Sequence, residues 1–369
     1  MNSPPVRVGI LGAGNVLPAY LQALDRLIPR GLATLGPVWA RRRELWPKLQ
    51  ALRPGVQLVS TSTEALDDID VVVIITPPAS HAELVEQALE HGKHVVAEKP
   101  LALTFTEAKR LVDLARDRKL HLLCAPFVQL SPTFRAFWSR IADDAIGRVH
   151  AMRGLYGNAG STWARWYHDG KVGPLAELGI YNLKSLTAIA GPVQEVLAAE
   201  STAVGRRQIC GEQIQASAPD SCQIIVRHTG GALSSVVASH AIQRYRRPGL
   251  EVYGTYGTAN LLGDDWDPRG FEVWRNDAAL WEEHEPIEPT WLWTDGLREL
   301  VLAIREKREP LHNPDHDLHL LEVIEAARLA AAEHTAIPVR SRFSELNLRI
   351  DQGMDRHHLH DHTRPAHEQ

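Results

Sequence analysis

The sequence predicts an α/β protein built from two unlike domains. Three observations predict this class. Short β-branched runs alternate with helical patterns over the first third of the 369-residue chain. A glycine-rich turn directly follows the first of these runs, and later in the chain longer runs follow one another without helices between them. The first arrangement is typical of a parallel sheet, and the last of a mostly antiparallel one.

Six apolar runs predict the strands of the first domain. In chain order they read VRVGIL, TLGPVWA, VQLVS, VVVIIT, HVVAE and LHLLCA. Helical patterns such as HAELVEQALEHG and FTEAKRLVDLARDRK separate them, and Thr104 and Glu107 have the spacing of a capping box before the second of these helices. Near-continuous apolar strands indicate a sheet covered on both faces. We therefore expect residues 1–125 to form a doubly wound parallel sheet of the Rossmann type.

Residues 126–349 are predicted to form an α+β domain with a large, open, mostly antiparallel sheet. SPTFRAFWSRIADD and AELGIYNLKSLTAIAG read as helices on either side of the strand RVHAMRGLYG. The following runs alternate in hydropathy: QEVLAAEST, DSCQIIVRH, ALSSVVASHA, GLEVYGTYG and GFEVWRN. Helices return at GLRELVLAIREK and LHLLEVIEAARLAAAEH. We expect this domain to bind substrate and its open sheet to face a partner subunit, giving a homodimer or homotetramer.

Residues 350–369 lack periodicity and are predicted to form a mobile, His-rich tail. Four of its histidines could chelate a metal ion, but a solvated low-complexity segment is favoured, and no metal site is expected. These histidines are His357, His358, His360 and His362.

Composition narrows the partners and the compartment. A formal net charge of −5 argues against nucleic acid or an anionic membrane as the main partner. No apolar run is long enough to span a membrane, and the N-terminus lacks the pattern of a signal peptide. Three widely spaced cysteines suggest neither disulfides nor a zinc site. We therefore expect a cytoplasmic protein with a small-molecule substrate.

A dinucleotide site is predicted at the first strand–helix turn. Gly12 and Gly14 occupy the first two positions of a G-x-G-x-x-G motif, and Leu17 stands at the third. The first glycine permits the turn, and the second lets the backbone approach a pyrophosphate at a helix N-terminus. We assign Asn15 and Val16 to the same cofactor site; the alternative is a glycine-rich turn without a ligand.

The end of the second strand bears on which dinucleotide binds. A carboxylate there would suit the ribose hydroxyls of NAD, whereas arginine suits the 2′-phosphate of NADP. This chain has Arg41, Arg42 and Arg43 and no acid at that point. Their positive charges would oppose the dipole of a helix starting there, which an anion would relieve. Arg41 and Arg42 are therefore assigned to the cofactor site, and NADP is favoured over NAD, although a solvated basic face stays open.

A long pattern begins at Thr76 and comprises Thr76-Pro77-Pro78, His81, Ala88-Leu89, Gly92-Lys93-His94-Val95 and Glu98-Lys99-Pro100. This pattern resembles the Gfo/Idh/MocA oxidoreductases, named for glucose–fructose oxidoreductase and inositol dehydrogenase. GPLAELGIYNLKSLTAIAGPVQEV resembles the second signature of the family, and LEVYGTYGTANL a further strand–turn segment. The resemblance covers nearly the whole chain except the tail. We assign Thr76, Pro77, His81, Glu98 and Lys99 to the cofactor wall.

The resemblance implies hydride transfer between nicotinamide and a carbinol or carbonyl carbon, usually of a sugar, inositol or related polyol. It carries the role of contacting the reacting hydroxyl to Lys99. The second signature commonly reads Asp-x-Gly-x-His-x-x-Asp, and here Glu177, Gly179, Tyr181 and Lys184 take those positions. Tyrosine replaces histidine, as in the branch that contains glucose–fructose oxidoreductase and the dihydrodiol dehydrogenases. Glutamate for aspartate and lysine for the last aspartate are departures that weaken any transfer of an inositol-dehydrogenase mechanism.

Alcohol oxidation needs a group that takes the hydroxyl proton and a cation that stabilises the developing alkoxide. We expect Lys99 to lower the pKa of Tyr181 and make it a proton shuttle, or to transfer the proton itself. Glu177, four residues before Tyr181, would share its helix face. Lys184 either joins that face or is solvated. Glu98 is expected to bond backbone or a cofactor hydroxyl.

The segment STWARWYHDGKVGP supplies candidate substrate contacts. Indole faces stack on sugar C–H surfaces, while arginine and histidine bond hydroxyls. We assign Trp163, Arg165 and His168 to the substrate, together with Lys99 and Tyr181; the alternative is an aromatic loop that packs on the sheet. Two other functions stay open: a glycosidase or lyase that retains NAD and oxidises transiently, and a non-catalytic nucleotide- or sugar-sensing regulator.

Overall fold

The computed structural model describes residues 4–168, 170, 172–246 and 248–349. Its first domain is a six-stranded parallel sheet in the order β3-β2-β1-β4-β5-β6, as the sequence predicts. The strands are β1 (Val6–Leu11), β2 (Ala33–Trp39), β3 (Leu58–Val59), β4 (Val71–Ile74), β5 (His94–Ala97) and β6 (Leu122–Cys124). The order reverses direction between β1 and β4. In doubly wound sheets, ligands bind beyond the carboxyl ends of the strands at such a point.

Helices cover both faces of this sheet. They are α1 (Leu17–Leu27), α2 (Trp46–Leu52), α3 (His81–Glu90) and α4 (Phe105–Asp117). Thr104 caps α4, because its Oγ1 accepts a hydrogen bond of 3.2 Å from the Glu107 amide and donates one of 2.9 Å to the Glu107 carboxylate. Strands β1, β4 and β5 are completely buried at most positions, which explains their uninterrupted apolar sequences.

The second domain contains a nine-stranded sheet in the order β16-β15-β14-β13-β7-β12-β11-β8-β17. All neighbouring strands are antiparallel except β7 and β12. The strands are β7 (Val149–Gly157), β8 (Val193–Ser201), β11 (Ser221–His228), β12 (Leu233–Ser239), β13 (Leu250–Gly254), β14 (Gly257–Asp264), β15 (Asp267–Arg275), β16 (Leu280–His284) and β17 (Ile337–Pro338). Helices α5 (Pro132–Ala142), α6 (Ile180–Ala190) and α8 (Pro314–Glu333) pack on one face, and the other face is open. This confirms the predicted architecture.

One helix of the second half of the chain packs on the first domain. Helix α7 (Gly296–Glu306) places Leu297, Leu300 and Val301 in the same apolar core as residues of β1 and α1. The expected boundary at residue 126 is therefore crossed by a returning segment. The amphipathic pattern of α7 predicts a buried face, but it does not say which domain covers that face.

Two further details differ from the expectations. Helix α2 begins at Trp46, so Arg41, Arg42 and Arg43 do not form its first turn. Pro47 stands in that first turn, where a missing amide donor is harmless, and it favours a start there. A small hairpin of β9 (Arg206–Ile209) and β10 (Glu212–Gln215) was not predicted, because its sequence is largely polar.

The predicted tail, including the four histidines considered as metal ligands, lies outside the described residues. Within the described residues, no helix is long and apolar enough to cross a membrane.

Candidate active site

A cleft of about 820 Å³ opens at the carboxyl ends of β1, β2, β4 and β5, between the two domains. Most of the predicted site residues line it: Gly12, Gly14, Asn15, Val16, Arg41, Arg42, Thr76, Pro77, His81, Glu98, Lys99, Trp163, Glu177 and Tyr181. Residues far apart in the sequence thus meet because the switch point of the first sheet faces α6 of the second domain.

The glycine loop begins the cleft. Gly12 has φ +121°, and a Cβ there would lie 2.8 Å from the Ile75 carbonyl carbon. Only glycine fits that turn without strain. A Cβ added at Gly14 would lie 3.5 Å from its nearest neighbour, the Ile75 carbonyl oxygen, which is an ordinary contact. The protein's own packing therefore does not require glycine at position 14, whereas close approach of a ligand to the backbone would.

Two arginines flank the adjacent part of the cleft. Arg41 and Arg42 line it after β2 ends at Trp39. Arg43 turns away, with its guanidinium 5.4 Å from the centre of the Trp46 ring. Arg42 makes a 4.0 Å contact with the exposed carboxylate of Glu44. No acidic residue stands at the end of β2, so this region offers positive charge to a ligand.

Lys99 follows β5 and is held by Glu177. Its Nζ lies 2.8 Å from Glu177 Oε1 and donates a 2.8 Å hydrogen bond to the Glu177 carbonyl oxygen. The two side chains are 8% and 9% exposed, so their ion pair is largely removed from water. An ammonium has three N–H donors. Two of them are engaged by Glu177, which leaves one for a ligand in the cleft.

An irregular helix start positions Glu177. Residues Leu175–Gly179 form one π-helical turn, and α6 continues from Ile180. Glu177 thus lies in the π turn and Tyr181 in α6, whereas we expected both on the face of one α-helix. Both side chains nevertheless line the cleft. Single π turns are frequent at functional sites. Here the turn directs both the carbonyl and the carboxylate of Glu177 at Lys99.

The environment of Tyr181 differs from the expectation in its electrostatics. Lys99 Nζ lies 5.3 Å from the centre of the Tyr181 ring, so the ammonium faces the ring. Burial, followed by the charges of Glu98 and Glu177, raises the pKa of Tyr181 well above its usual value. Burial and the two carboxylates therefore set the direction of this shift. The phenol therefore stays protonated at neutral pH and can donate a hydrogen bond.

Tyr167 is a site residue that sequence reasoning missed. Its hydroxyl donates a 2.6 Å hydrogen bond to Glu177 Oε1, the same oxygen that faces Lys99. Burial and the nearby Glu177 charge raise the pKa of Tyr167. The aromatic richness of the loop around it was the only signal in the sequence, and that signal does not single out one ring.

Glu98 and His81 support the cleft wall by hydrogen bonding to other residues of the protein. Glu98 Oε1 accepts a 2.9 Å hydrogen bond from the Tyr20 hydroxyl, and burial raises the pKa of Glu98. Both ring nitrogens of His81 face carbonyl oxygens at 2.7 Å, those of Pro100 and Thr76. His81 is completely buried and burial lowers its pKa, so the neutral ring donates to one of these two oxygens, and neither nitrogen is directed at a nucleotide. The Lys99–Pro100 peptide bond between these supports is cis.

Two of the expected substrate contacts lie away from the cleft. Arg165 pairs with Glu212 of the β9–β10 hairpin, and His168 is buried with Nε2 3.1 Å from the Ser161 carbonyl oxygen. Neither lines the cleft, because the loop turns both side chains toward the hairpin. Trp163, which is 51% exposed, remains on the cleft wall.

Lys184 neither joins the site nor reaches solvent, the two possibilities expected. It is completely buried, and its Nζ lies 2.5 Å from Asp317 Oδ1. Asp317 Oδ2 in turn lies 2.5 Å from His312 Nε2. Burial alone would raise the pKa of Asp317, but its interactions with His312 and Lys184 lower it. The signature position thus carries a cation whose counter-ion comes from α8.

Comparisons with known proteins agree with this arrangement. Residues 6–125 match the "Oxidoreductase family, NAD-binding Rossmann fold" of Gfo/Idh/MocA, and residues 134–260 match the "GFO/IDH/MocA C-terminal domain". The chain is 29% identical over 337 residues to trans-1,2-dihydrobenzene-1,2-diol dehydrogenase of Bos taurus, covering 88% of this chain and 94% of that one.

A second relative, dTDP-3,4-didehydro-2,6-dideoxy-alpha-D-glucose 3-reductase of Actinomadura kijaniata, is 30% identical over 54% of this chain and 60% of its own length. Among solved structures, levoglucosan dehydrogenase in complex with NADH and levoglucosan superimposes with a TM-score of 0.80 at 22% identity, over 91% of this chain and 100% of that one. The chain belongs to the Gfo/Idh/MocA family of NAD-binding oxidoreductases.

Proposed function

We propose that the protein is an NAD(P)-dependent dehydrogenase or reductase that transfers a hydride between nicotinamide and a carbinol or carbonyl carbon of a sugar, polyol or related ring compound. The observation that carries the proposal is the ammonium of Lys99, fixed by Glu177 in the cleft that begins at the glycine loop. Similarity to a dihydrodiol dehydrogenase and to a levoglucosan dehydrogenase supports a substrate with hydroxyls on a ring.

Lys99 is the group that we assign to the reacting oxygen. Its remaining N–H donor would bind that oxygen and stabilise alkoxide character as it develops. Glu177 keeps the ammonium in place through two contacts and balances its charge until a substrate enters. A bound nicotinamide would accept or supply the hydride.

Tyr181 is assigned as a hydrogen-bond donor to the same oxygen. Its raised pKa supports a neutral phenol, which can protonate an alkoxide in the direction of reduction but is a weak base in the direction of oxidation. In oxidation, the proton would leave through the Lys99–Glu177 pair, whose carboxylate is adjacent. Trp163 would pack on the substrate ring from the opposite domain.

The cofactor site fits a dinucleotide. Gly12 permits the turn and Gly14 leaves room for a pyrophosphate at the start of α1, where Asn15 and Val16 would present backbone amides. Thr76 and Pro77 line the neighbouring wall. Arg41 and Arg42, with no acidic residue at the end of β2, support NADP over NAD.

The open face of the nine-stranded sheet is proposed as a homo-oligomer interface, giving a dimer or tetramer. Leu197 and Ile225 are opposite each other on neighbouring strands and are 47% and 53% exposed, and Trp281 near the sheet edge is 42% exposed. Covering such apolar side chains stabilises an assembly.

The cysteines Cys124, Cys210 and Cys222 are free thiols, which supports a reducing compartment such as the cytoplasm.

The direct test is a spectrophotometric screen of aldoses, anhydrosugars, inositols and cyclic diols, each with NADP⁺ and with NAD⁺. We expect substrate-dependent formation of reduced nicotinamide, faster with NADP⁺ at equal concentration. Tight binding of these compounds without any turnover would reject the dehydrogenase and support a sensing role. Product formation without net reduction of added cofactor would instead support transient oxidation by a retained nucleotide.

A further inference from the structure

We propose that the substrate is an electrically neutral ring compound with an apolar face, and that sugars carrying phosphate, nucleotide or carboxylate groups are excluded. The inference rests on the proposed function and deepens it, because it assigns the charge and shape of the molecule that the cleft accepts. It comes from the part of the cleft wall that the second domain contributes.

That wall is aromatic. The rings of Trp163, Trp166 and Tyr167 contact one another, with centroids separated by 6.2 Å (Trp163–Trp166), 5.8 Å (Trp163–Tyr167) and 4.5 Å (Trp166–Tyr167). Tyr156 and Tyr181 form a second pair at 5.6 Å, and all five rings line the cleft. Mutual packing of this kind fixes the rings in place, so they present a preformed apolar surface to the C–H face of a ring.

The same wall carries no positive charge of its own. Among the described second-domain residues that line the cleft, none is lysine, arginine or histidine, and Glu177 is the ionised group. Two arginines near this wall are already paired within the protein. Arg165 pairs with Glu212, and Arg207 is buried against Asp220 and donates hydrogen bonds to backbone carbonyl oxygens. An anion on this wall would therefore meet aromatic rings and a carboxylate.

The ammonium of Lys99 does not change this conclusion. Lys99 is paired with Glu177 and has one donor left, which the reacting oxygen would take. Arg41 and Arg42 lie on the first domain next to the glycine loop, where the cofactor is proposed to bind. An anionic substituent would therefore be buried on the wall without a partner, which is strongly unfavourable. A neutral ring avoids that cost and gains the contact with the aromatic surface.

The polar groups on the wall suit hydroxyls. Burial raises the pKa of Tyr156 and Tyr167, so both phenols stay neutral; Tyr156 can donate or accept a hydrogen bond, and Tyr167, whose proton is donated to Glu177, can accept one. Asn158, which also lines the cleft, offers an amide that can do the same. Together with Glu177 these groups can bind two or more ring hydroxyls, as in a cyclic diol or an anhydrosugar.

The test is calorimetric titration of the cofactor-loaded enzyme with matched pairs. The neutral probes are 1,6-anhydroglucose, trans-1,2-cyclohexanediol, glucose and myo-inositol; the anionic probes are glucose 6-phosphate, glucuronate, UDP-glucose and inositol 1-phosphate. At least one neutral ring should bind, and anionic counterparts should bind about 100-fold more weakly, the effect expected for an unpaired buried charge. Equal or tighter binding of an anionic member, or no binding of any neutral ring, would overturn the proposal.

The outcome separates this inference from the proposed function. Turnover of a phosphorylated or nucleotide-linked sugar would reject the neutral substrate and keep the dehydrogenase. Binding of neutral rings without hydride transfer would reject the dehydrogenase and keep the preference for neutral rings.

Variants at Trp163 test the wall itself. Trp163 is exposed enough that its replacement should leave the fold intact. Trp163→Ala should weaken binding of the neutral ring about threefold to tenfold, whereas Trp163→Phe, which keeps an aromatic face, should restore most of it. Trp163→Arg should reduce the difference in affinity between the neutral and the anionic probes. Unchanged affinities in all three variants would contradict the role of the aromatic wall.

Discussion

Replacing Glu177 by glutamine isolates the charge that holds Lys99. Glu177 Oε1 lies 2.8 Å from Lys99 Nζ and accepts a 2.6 Å hydrogen bond from the Tyr167 hydroxyl. A glutamine amide oxygen in that position can keep both contacts while removing the negative charge. The variant therefore changes the electrostatics of the pair and little of its geometry.

The expected loss of stability follows from the burial of the pair. Its side chains are only 8% and 9% exposed, and an uncompensated buried charge destabilises by about 3 kcal/mol at the lower end of the usual range. With an unfolding entropy of about 2 cal/mol/K per residue, that value corresponds to a Tm lower by about 4 °C in a chain of 369 residues. Turnover should also fall about tenfold or more, because the carboxylate that balances the ammonium and would take the proton is lost.

Differential scanning calorimetry at neutral pH measures the change. Glu212→Gln is the matched control, because Glu212 also pairs with a cation, Arg165, but the side chains of Arg165 and Glu212 are 58% and 68% exposed. Exposed pairs contribute less than about 1 kcal/mol, so that variant should shift Tm by about 1 °C or less. Equal Tm values for the Glu177 variant and the unaltered protein would refute the reasoning.

Three other outcomes are expected. Arg41→Ala should raise the KM for NADP⁺ about tenfold or more and leave that for NAD⁺ nearly unchanged, whereas Arg43→Ala, whose side chain lies on Trp46, should affect neither; equal effects on both cofactors would contradict the NADP assignment. Gly12→Ala should lower Tm by several degrees because of the close contact with Ile75 and the positive φ, while Gly14→Ala should keep its Tm and lose dinucleotide affinity in titration calorimetry. Burial lowers the pKa of His240 to about 3, so below the unfolded pKa near 6.5 the unfolded chain takes up a proton that the folded chain does not, and stability falls as the pH is lowered from 6.5 to 3. Urea unfolding at pH 7 and pH 5 measures how much the free energy of unfolding falls with pH. In His240→Gln this dependence should be weaker than in the unaltered protein by up to about 1.4 kcal/mol per pH unit, and an equal dependence would contradict that pKa.

The sequence predicts the elements whose hydropathy period is a local property. Strands β1, β4 and β5 read as continuous apolar runs because both faces of each are covered, and the glycine spacing marks the turn after β1. The family pattern then places Lys99 at the end of β5. These features need no knowledge of distant contacts, and the structure confirms the fold class that they predict.

The features that were missed depend on residues far apart in the chain. Lys184 is buried because Asp317, 133 residues away, neutralises it. Arg165 does not line the cleft because it pairs with Glu212. Glu212 lies on a hairpin whose polar sequence did not predict strands. The π turn that contains Glu177 is a single turn, so the sequence pattern cannot distinguish it from an α-helical turn.

The central claim is that the ammonium of Lys99 stabilises the reacting oxygen and does little for cofactor binding. The most direct test is to compare the rate of hydride transfer and the Kd for NADPH in Lys99→Met and in Lys93→Met, a control whose ammonium bonds the Ile69 carbonyl oxygen away from the cleft. For Lys99→Met we expect hydride transfer to slow by about 1,000-fold while the Kd changes less than about threefold. A variant that retained hydride transfer within about tenfold of the unaltered enzyme would contradict the account.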